Sequence, residues 1–339
     1  MIILVDAMGG DNAPDAVVNG CIDAVSEAEG FDILLIGDKD RIGEILNKRS
    51  FDSTRIKVHH TTEVITVEDT PTKAIKSKKD SSMVVGFKML KERQGDIFVS
   101  CGNSGALMAG SLFILGRIKG VDRPALAVII PNKLGKGLII DAGLNTICKP
   151  VNYQQFGVMG SIYAKEMLGM DNSRVGLLNI GAEVGKGNEL LKQAYSMLSD
   201  SDINFVGNVE GNDILLGKVD VTVCDGFAGN VLLKFLEGAA SFFMGSLKGI
   251  FYRNIKTKIA ALLVKNEVRD FKKVTDAEEQ GGAPILGVNG LVLKSHGNSS
   301  AKTVKNVVLK ASKFARTRVL ERIKEEFVGM EVDDIEQDL

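Results

Sequence analysis

Glycine-rich turns hold most of the residue types with which this chain could do chemistry on an anion. Four of them follow apolar runs: Ser100-Cys101-Gly102-Asn103-Ser104-Gly105, Asp141-Ala142-Gly143-Leu144-Asn145, Asn179-Ile180-Gly181-Ala182-Glu183 and Asp225-Gly226-Phe227-Ala228-Gly229-Asn230. Small residues leave backbone N–H groups accessible where a helix opens, and the neighbouring Asn and Asp add dipoles and charge. A fifth turn opens the chain, where Ile2–Val5 reads as a buried strand running into Asp6-Ala7-Met8-Gly9-Gly10-Asp11-Asn12-Ala13-Pro14. Gly9 and Gly10 reach backbone angles closed to other residues, so Asp6 and Asp11 are expected to face one cleft, with Pro14 at a helix start.

Three further segments carry cations or a histidine. Gly181–Asn188 looks like a P-loop, but its spacing is one residue short and no Ser or Thr follows Lys186. What remains is a Gly-Lys-Gly-Asn turn whose free N–H groups and ammonium suit a phosphate or a developing oxyanion. Arg117, Lys119 and Arg123 cluster after a helix-length run. They offer a forked donor and a docking patch for an acidic partner, although cations there also offset a helix dipole. Gly281-Gly282-Ala283-Pro284 leads to Leu293-Lys294-Ser295-His296-Gly297-Asn298-Ser299, which places His296 at the end of an apolar strand and before a helix. His59 and His60 sit mid-strand and read as structural.

The elements that must position these residues alternate along the chain. Strands are expected at 33–36, 56–60, 96–100, 125–130, 138–141, 174–179, 203–206 and 219–224, and helices at 14–28, 81–91, 104–115, 151–166 and 187–198. That order predicts an open, largely parallel sheet covered by helices on both faces, with ligands at the carboxyl ends of its strands. The glycine turns would then share one rim. One domain over 1–330, two-lobed around a cleft, accommodates the elements. Within it, 232–274 reads as a helical hairpin: Leu247, Ile250, Phe251, Ile255, Ile259, Leu262 and Leu263 share a face, and Lys248, Arg253, Lys256, Lys258, Lys265, Arg269, Lys272 and Lys273 decorate the rest. Such a hairpin packs against a core or a second copy, or dips its ridge into a lipid interface. A final helix is expected over 299–326, followed by a frayed acidic tail at 331–339.

Composition narrows the classes. The 339 residues are 45% hydrophobic and 25% charged with net charge −1, so nothing draws the whole molecule to nucleic acid. Cys21, Cys101, Cys148 and Cys224 are far apart without CxxC spacing, which suits a reduced compartment and argues against a zinc site. Neither GxGxxG nor a GxSxG elbow occurs. Asp6 interrupts the first apolar stretch, which argues against a signal peptide, and no run reads as the roughly 20 apolar residues of a membrane span.

Seven of these segments together resemble the phosphate:acyl-acyl-carrier-protein acyltransferase family of bacterial phospholipid synthesis. They are DAMGGDNAP (6–14), SCGNSGAL (100–107), GRIKGVDRPALA (116–127), NIGAEVGKGNE (179–189), CDGFAGNVLLK (224–234), GGAPILGV (281–288) and SHGNS (295–299), in the family's order and across essentially the whole chain. The resemblance implies a three-layer α/β/α Rossmann-like fold akin to isocitrate and isopropylmalate dehydrogenases and phosphotransacetylase, with an inserted amphipathic hairpin. It implies transfer of a fatty acyl group from acyl-carrier protein to inorganic phosphate, without metal or organic cofactor. A homodimer peripherally bound to an anionic membrane surface on the cytoplasmic side is implied, with a membrane glycerol-3-phosphate acyltransferase downstream.

On that reading His296, Lys186 and Asn230 are the catalytic candidates. Asp6, Gly9, Gly10, Asp11, Asn103, Ser104, Asp141, Asn145, Asn179, Glu183, Asn188, Asp225, Gly281 and Gly282 would bind or frame phosphate and acyl group. The carboxylates among them would orient amides and cations, and Arg117, Lys119 and Arg123 would dock the carrier. The chain departs from the family pattern at Ala228, usually Thr, at Val184, often acidic, and at Leu144 and Ile147-Cys148, usually smaller or more polar. Two other readings use the same residues: an NAD-dependent decarboxylating dehydrogenase, and a non-catalytic scaffold that binds acyl carriers.

Overall fold

The computed structural model describes residues 1–269 and 281–328. Eleven strands form one mixed sheet: β1 (Ile2–Asp6), β2 (Asp32–Gly37), β3 (Ile56–His60), β4 (Ile97–Ser100), β5 (Ala125–Asn132), β6 (Gly135–Ile140), β7 (Val175–Leu178), β8 (Phe205–Val209), β9 (Val221–Val223), β10 (Ala283–Leu286) and β11 (Val292–Lys294). Their order across the sheet is β3-β2-β1-β4-β11-β10-β5-β6-β9-β7-β8. The helices are α1 (Asp15–Glu27), α2 (Lys39–Leu46), α3 (Pro71–Ser77), α4 (Ser82–Lys91), α5 (Ser104–Gly110), α6 (Pro150–Leu168), α7 (Glu189–Ser199), α8 (Gly211–Leu216), α9 (Gly226–Phe251), α10 (Ile255–Leu263), α11 (Ala301–Phe314) and α12 (Val319–Phe327).

Strand side chains alternate between the two faces, and the core divides accordingly. Ile3 and Val5 of β1 pack with α1, α6 and α11 on one face, while Leu4 packs with α3, α4 and α5 on the other. α1 and α11 approach so closely that a Cβ on Gly20 would lie 2.6 Å from the Ala301 carbonyl. A sheet buried on both faces needs nearly continuous apolar strands, which is what Ile2–Val5, Ile97–Val99 and Leu138–Ile140 supply.

The sheet is largely parallel, as expected, with its antiparallel pairs confined to the centre. β10 is antiparallel to both β11 and β5, and β5 is antiparallel to β6. Strands β6, β9, β7 and β8 therefore run opposite to β1–β4. The turns after β6, β7 and β9 leave one end of the sheet and the turn after β4 leaves the other, so the glycine turns do not share one rim. Only two residue pairs, Ile285 with Leu126 and Leu286 with Ala125, join β10 to β5.

Several boundaries also move. The run 104–115 is α-helical to Gly110 and continues as a π-helical turn, Ser111–Leu115. The expected last helix is two helices. Phe314 and Val319 are both buried but five residues apart, about 140° around a helix, so the chain turns between them to bury each. The hairpin starts earlier than expected: α9 begins at Gly226, runs 26 residues and is followed by α10. Positions 270–274 of the expected hairpin, with Lys272 and Lys273, and the acidic tail lie outside the described residues.

By length and composition α9 is apolar enough to cross a membrane, contrary to the reading of the sequence, and little of it is buried. Ile255, Ile259, Leu262 and Leu263 of α10 are all exposed, as are Ile250 and Tyr252 before it, while Leu247 and Phe251 are half-buried.

Candidate functional site

The N-terminal turn is built around Asp6. Its carboxylate is buried and accepts from Ser82 Oγ (2.6 Å), Ser100 Oγ (2.7 Å) and the Met8 N–H (3.2 Å). Burial pushes its pKa up, against these donors. Asp6 thus ties β1 and β4 to the start of α4, and its oxygens are committed. A Cβ on Gly9 would lie 2.5 Å from Asp6 Oδ2. Asp11 instead is exposed, and the two carboxylates do not face one cleft. The Asp11 N–H donates to the Gly297 carbonyl (2.7 Å), and Asn12 Nδ2 donates to the carbonyls of Asn298 and Ser299. Gly10 takes a φ of +106°, with the Gly297 carbonyl where a side chain would begin. The turn therefore clasps the loop that carries His296.

A second assembly seats α9. Asp141 is buried after β6 and accepts from the N–H groups of Leu126 (2.9 Å), Gly143 (3.2 Å), Leu144 (3.1 Å) and Asn145 (2.6 Å), and from Asn145 Nδ2 (2.8 Å). Asn145 also donates to the Pro124 carbonyl (2.7 Å), and its own carbonyl accepts from Gly226 N–H (2.7 Å). Asp225 caps α9 by accepting from Ala228 N–H (2.8 Å) and receives the Tyr153 hydroxyl (3.1 Å). Asn230 follows on the first turns of α9, beside Gly143.

The remaining turns are closed on themselves. Asn179 donates to the Lys186 carbonyl and to Asn208 Oδ1 (both 3.1 Å), Asn208 donates to the Glu183 carbonyl (2.8 Å), and Asn188 caps α7. Lys186 is exposed, with its ammonium 3.9 Å from Glu183. Asn103 caps α5 and holds the carbonyls of Thr66 and Asp69, and Ser104 beside it is exposed. Arg117 folds onto the Asp122 carbonyl and lies 3.6 Å from the Asp122 carboxylate but stays exposed, as do Lys119 and Arg123. The four cysteines are buried and unpaired, and burial pushes the Cys101 thiol up to about 11, away from nucleophilic use. His59 and His60 stand at the exposed end of β3, where His60 Nδ1 accepts from Lys39 N–H.

The concave site lies elsewhere, between α9 and the centre of the sheet. A cavity of 320 Å³ runs along β5, floored by Leu126, Val128 and Ile130 and walled by α9, with Gly282, Ala283, Lys294, Ser295 and His296 along the β10–β11 side. Four charged or titratable groups meet at its wall. Lys234 Nζ lies 2.7 Å from Glu237 Oε2, and His296 Nε2 lies 3.6 Å from Glu237 Oε1. Lys294 stands close by. Burial lowers its pKa, the Lys234 charge lowers it further, and Glu237 opposes both. Burial likewise pushes the His296 imidazole below its usual range, against Glu237 and with Lys234 and Lys294.

With a neutral imidazole, two ammonium groups face one carboxylate, which leaves a surplus positive charge suited to an anion. Of the catalytic candidates, His296 and Asn230 line this cavity and Lys186 does not; of the framing glycines Gly282 lines it, whereas Gly281 borders a separate pocket beside Lys310. Sequence reasoning passed over Lys234, Glu237 and Lys294. The available signals were a lysine closing the apolar strand before His296 and an i,i+3 Lys–Glu pair on a helix. Among the described residues no group of three or more His, Cys, Asp or Glu is placed to hold a metal ion.

Solved structures place this architecture. A phosphotransacetylase from Streptococcus pyogenes superposes with a TM-score of 0.60 at 16% identity, covering 93% of this chain and 94% of that one. A branched-chain phosphotransacylase from Enterococcus faecalis gives 0.57 at 13%, covering 94% and 100%. The chain therefore has the fold of the phosphotransacylases. A family model described as fatty acid synthesis protein matches residues 1–322. The phosphate acyltransferase of Acetivibrio thermocellus is 76% identical over 339 residues, 100% of both chains, and that of Clostridioides difficile is 47% identical over 326 residues, 96% of each. The chain belongs to the phosphate acyltransferase family and is a transferase.

Proposed function

We propose that this protein reversibly transfers a long-chain fatty acyl group from the thioester of acyl-carrier protein to inorganic phosphate. The acyl phosphate formed would supply phosphatidic acid synthesis through a membrane glycerol-3-phosphate acyltransferase. The observation that carries the reading is the cluster of Lys234, Lys294 and His296 around Glu237 on the wall of an apolar cavity, in a chain of this family. A phosphate oxygen attacks the thioester carbonyl carbon, the C–S bond of the tetrahedral adduct breaks, and the hydrogenphosphate proton passes to the departing sulfur. Phosphate is already a nucleophile, so the protein's tasks are positioning, worth roughly 7–11 kcal/mol in favourable cases, and stabilisation of the oxyanion. Lys234 and Lys294 hold phosphate, Asn230 donates toward the reacting oxygen, and neutral His296 relays the proton.

The test is release of free thiol from palmitoyl-acyl-carrier protein, with and without phosphate, and with hydroxylamine to trap acyl phosphate. Phosphate-dependent release with trapped product is expected; thiol release indifferent to phosphate would refute the reading.

The exposed cations Arg117, Lys119 and Arg123 are the proposed docking points for the acidic carrier. The apolar ridge of α9 and α10 is the proposed contact with a second copy of the chain and, with Lys256, Lys258 and Lys265, with an anionic membrane surface at the cytoplasmic side. Reversing those three charges is expected to abolish co-sedimentation with anionic vesicles while sparing thiol release. Undiminished co-sedimentation would remove the electrostatic part of the membrane proposal.

A further inference from the structure

The cavity is polar and apolar in sequence along α9. Asn230, Lys234 and Glu237, spaced four and three residues apart, put a polar stripe on its first two turns of wall. Ala239, Ala240 and Phe243 follow, facing Ile130 and Pro131 of β5 and Leu215 of α8. Leu126 and Ala142, beside the start of α9, are buried, whereas Leu215 is 44% and Phe243 67% exposed. The slot thus begins at a cationic end, where Lys234 and His296 are partly exposed over a buried floor, and leads past two alanines to an exposed apolar one. A molecule with an anionic or thioester head and an alkyl tail matches that gradient.

We infer that the alkyl chain of the acyl substrate lies along this slot from Glu237 past Ala240, leaving toward Phe243 and Leu215, and that Ala240 sets how long a chain passes. The inference rests on the acyl-transfer reading and adds to it the path and length selection of the chain. An open far end sets no upper limit by itself. Selection then depends on the side chains that line the path, and at position 240 alanine leaves room that a larger side chain would take. Each methylene kept in the slot contributes about 0.8 kcal/mol, so excluding two of them corresponds to about tenfold in specificity.

The test compares kcat/KM for butyryl- and palmitoyl-acyl-carrier protein in the wild type, Ala240→Phe and Phe243→Ala. In Ala240→Phe the palmitoyl-to-butyryl ratio is expected to fall by about tenfold or more, with butyryl turnover reporting an intact catalytic centre. In Phe243→Ala, KM for the palmitoyl substrate is expected to rise and that for butyryl to stay. Unchanged ratios in both variants, with phosphate-dependent turnover intact, overturn the chain path and leave the transfer reading standing. Absence of phosphate-dependent turnover in the wild type removes the transfer reading itself. Should Ala240→Phe lose both activities, the decision passes to Phe243→Ala. A concentration-dependent change in sedimentation without a change in ratio would assign the slot to contact between copies and overturn the inference.

Discussion

His296→Ala is expected to slow phosphate-dependent thiol release by about 10²–10⁴-fold, the range for loss of a positioned proton relay, with its unfolding temperature unchanged. The side chain is 45% exposed on the loop after β11, so its removal leaves no hole in the core. Its chemistry has no substitute at the cavity wall, because the proposal assigns both lysines to hold phosphate and Glu237 already pairs with Lys234.

The pH dependence identifies the group. Burial and the two ammonium groups lower the imidazole pKa, and Glu237 alone among its charged neighbours raises it. Histidine is therefore neutral at pH 7, and kcat/KM should hold level to below the usual histidine value near 6.5 before falling with acid. Glu237→Gln removes the raising influence, so the acid limb moves to lower pH. Lys294→Met removes a lowering one, so it moves up. An acid limb indifferent to both changes would exclude His296 as the titrating group, and an alanine variant with near-normal turnover would exclude it from the reaction.

Gly229→Ala is expected to destabilise the fold by about 3 kcal/mol and to reduce turnover even where the protein remains folded. A Cβ at 229 would collide with the backbone carbonyl oxygen of Asp141 and lie 3.0 Å from the buried Sγ of Cys224. Asp141 cannot yield easily, since its carboxylate gathers four backbone N–H groups and the Asn145 amide. The helix must lift, and Asn230, Lys234 and Glu237 lift with it.

Gly238→Ala supplies the comparison. Nothing lies within 4 Å of a Cβ there, so it should stabilise the helix by about 0.5–1 kcal/mol. Thermal melts followed by circular dichroism separate the two. Equal melting temperatures would mean that the socket of Asp141 and Asn145 has slack.

His296 and Asn230 show what the sequence could disclose. His296 stood out because a histidine between an apolar strand and a glycine is uncommon punctuation, and Asn230 because it closed a glycine turn. The strand and helix periodicities were legible wherever one face is buried: β3 runs over the residues expected of it, and α1, α4 and α6 lie within two residues of the bounds their patterns suggested. Strand direction was not legible. β10 is four residues long and pairs antiparallel on both sides, and local sequence does not encode which neighbour a short apolar run will find. The antiparallel pairing of β5 with β6 then reverses β6, β9, β7 and β8, and Lys186, in the turn after β7, does not line the cavity.

Lys234 and Glu237 escaped notice for a related reason. On a helix read as a surface hairpin, an i,i+3 pair looks like a solvated ion pair, and only the descent of the first half of α9 onto β5 turns it into a wall. Asp6 erred in the other direction. A carboxylate beside two glycines suggested a ligand, but the hydroxyls that satisfy it, Ser82 and Ser100, come from positions remote in sequence.

α9 serves two surfaces with one rigid body: its inner side closes the cavity and its outer side is exposed and apolar. If the cavity also binds more tightly in one tilt of the helix, anything that grips the outer side in that tilt raises affinity inside, and cavity occupancy raises the outer grip by the same factor. Substrate loading and an external attachment of that kind would be coupled equilibria with one shared free energy, measurable from either side.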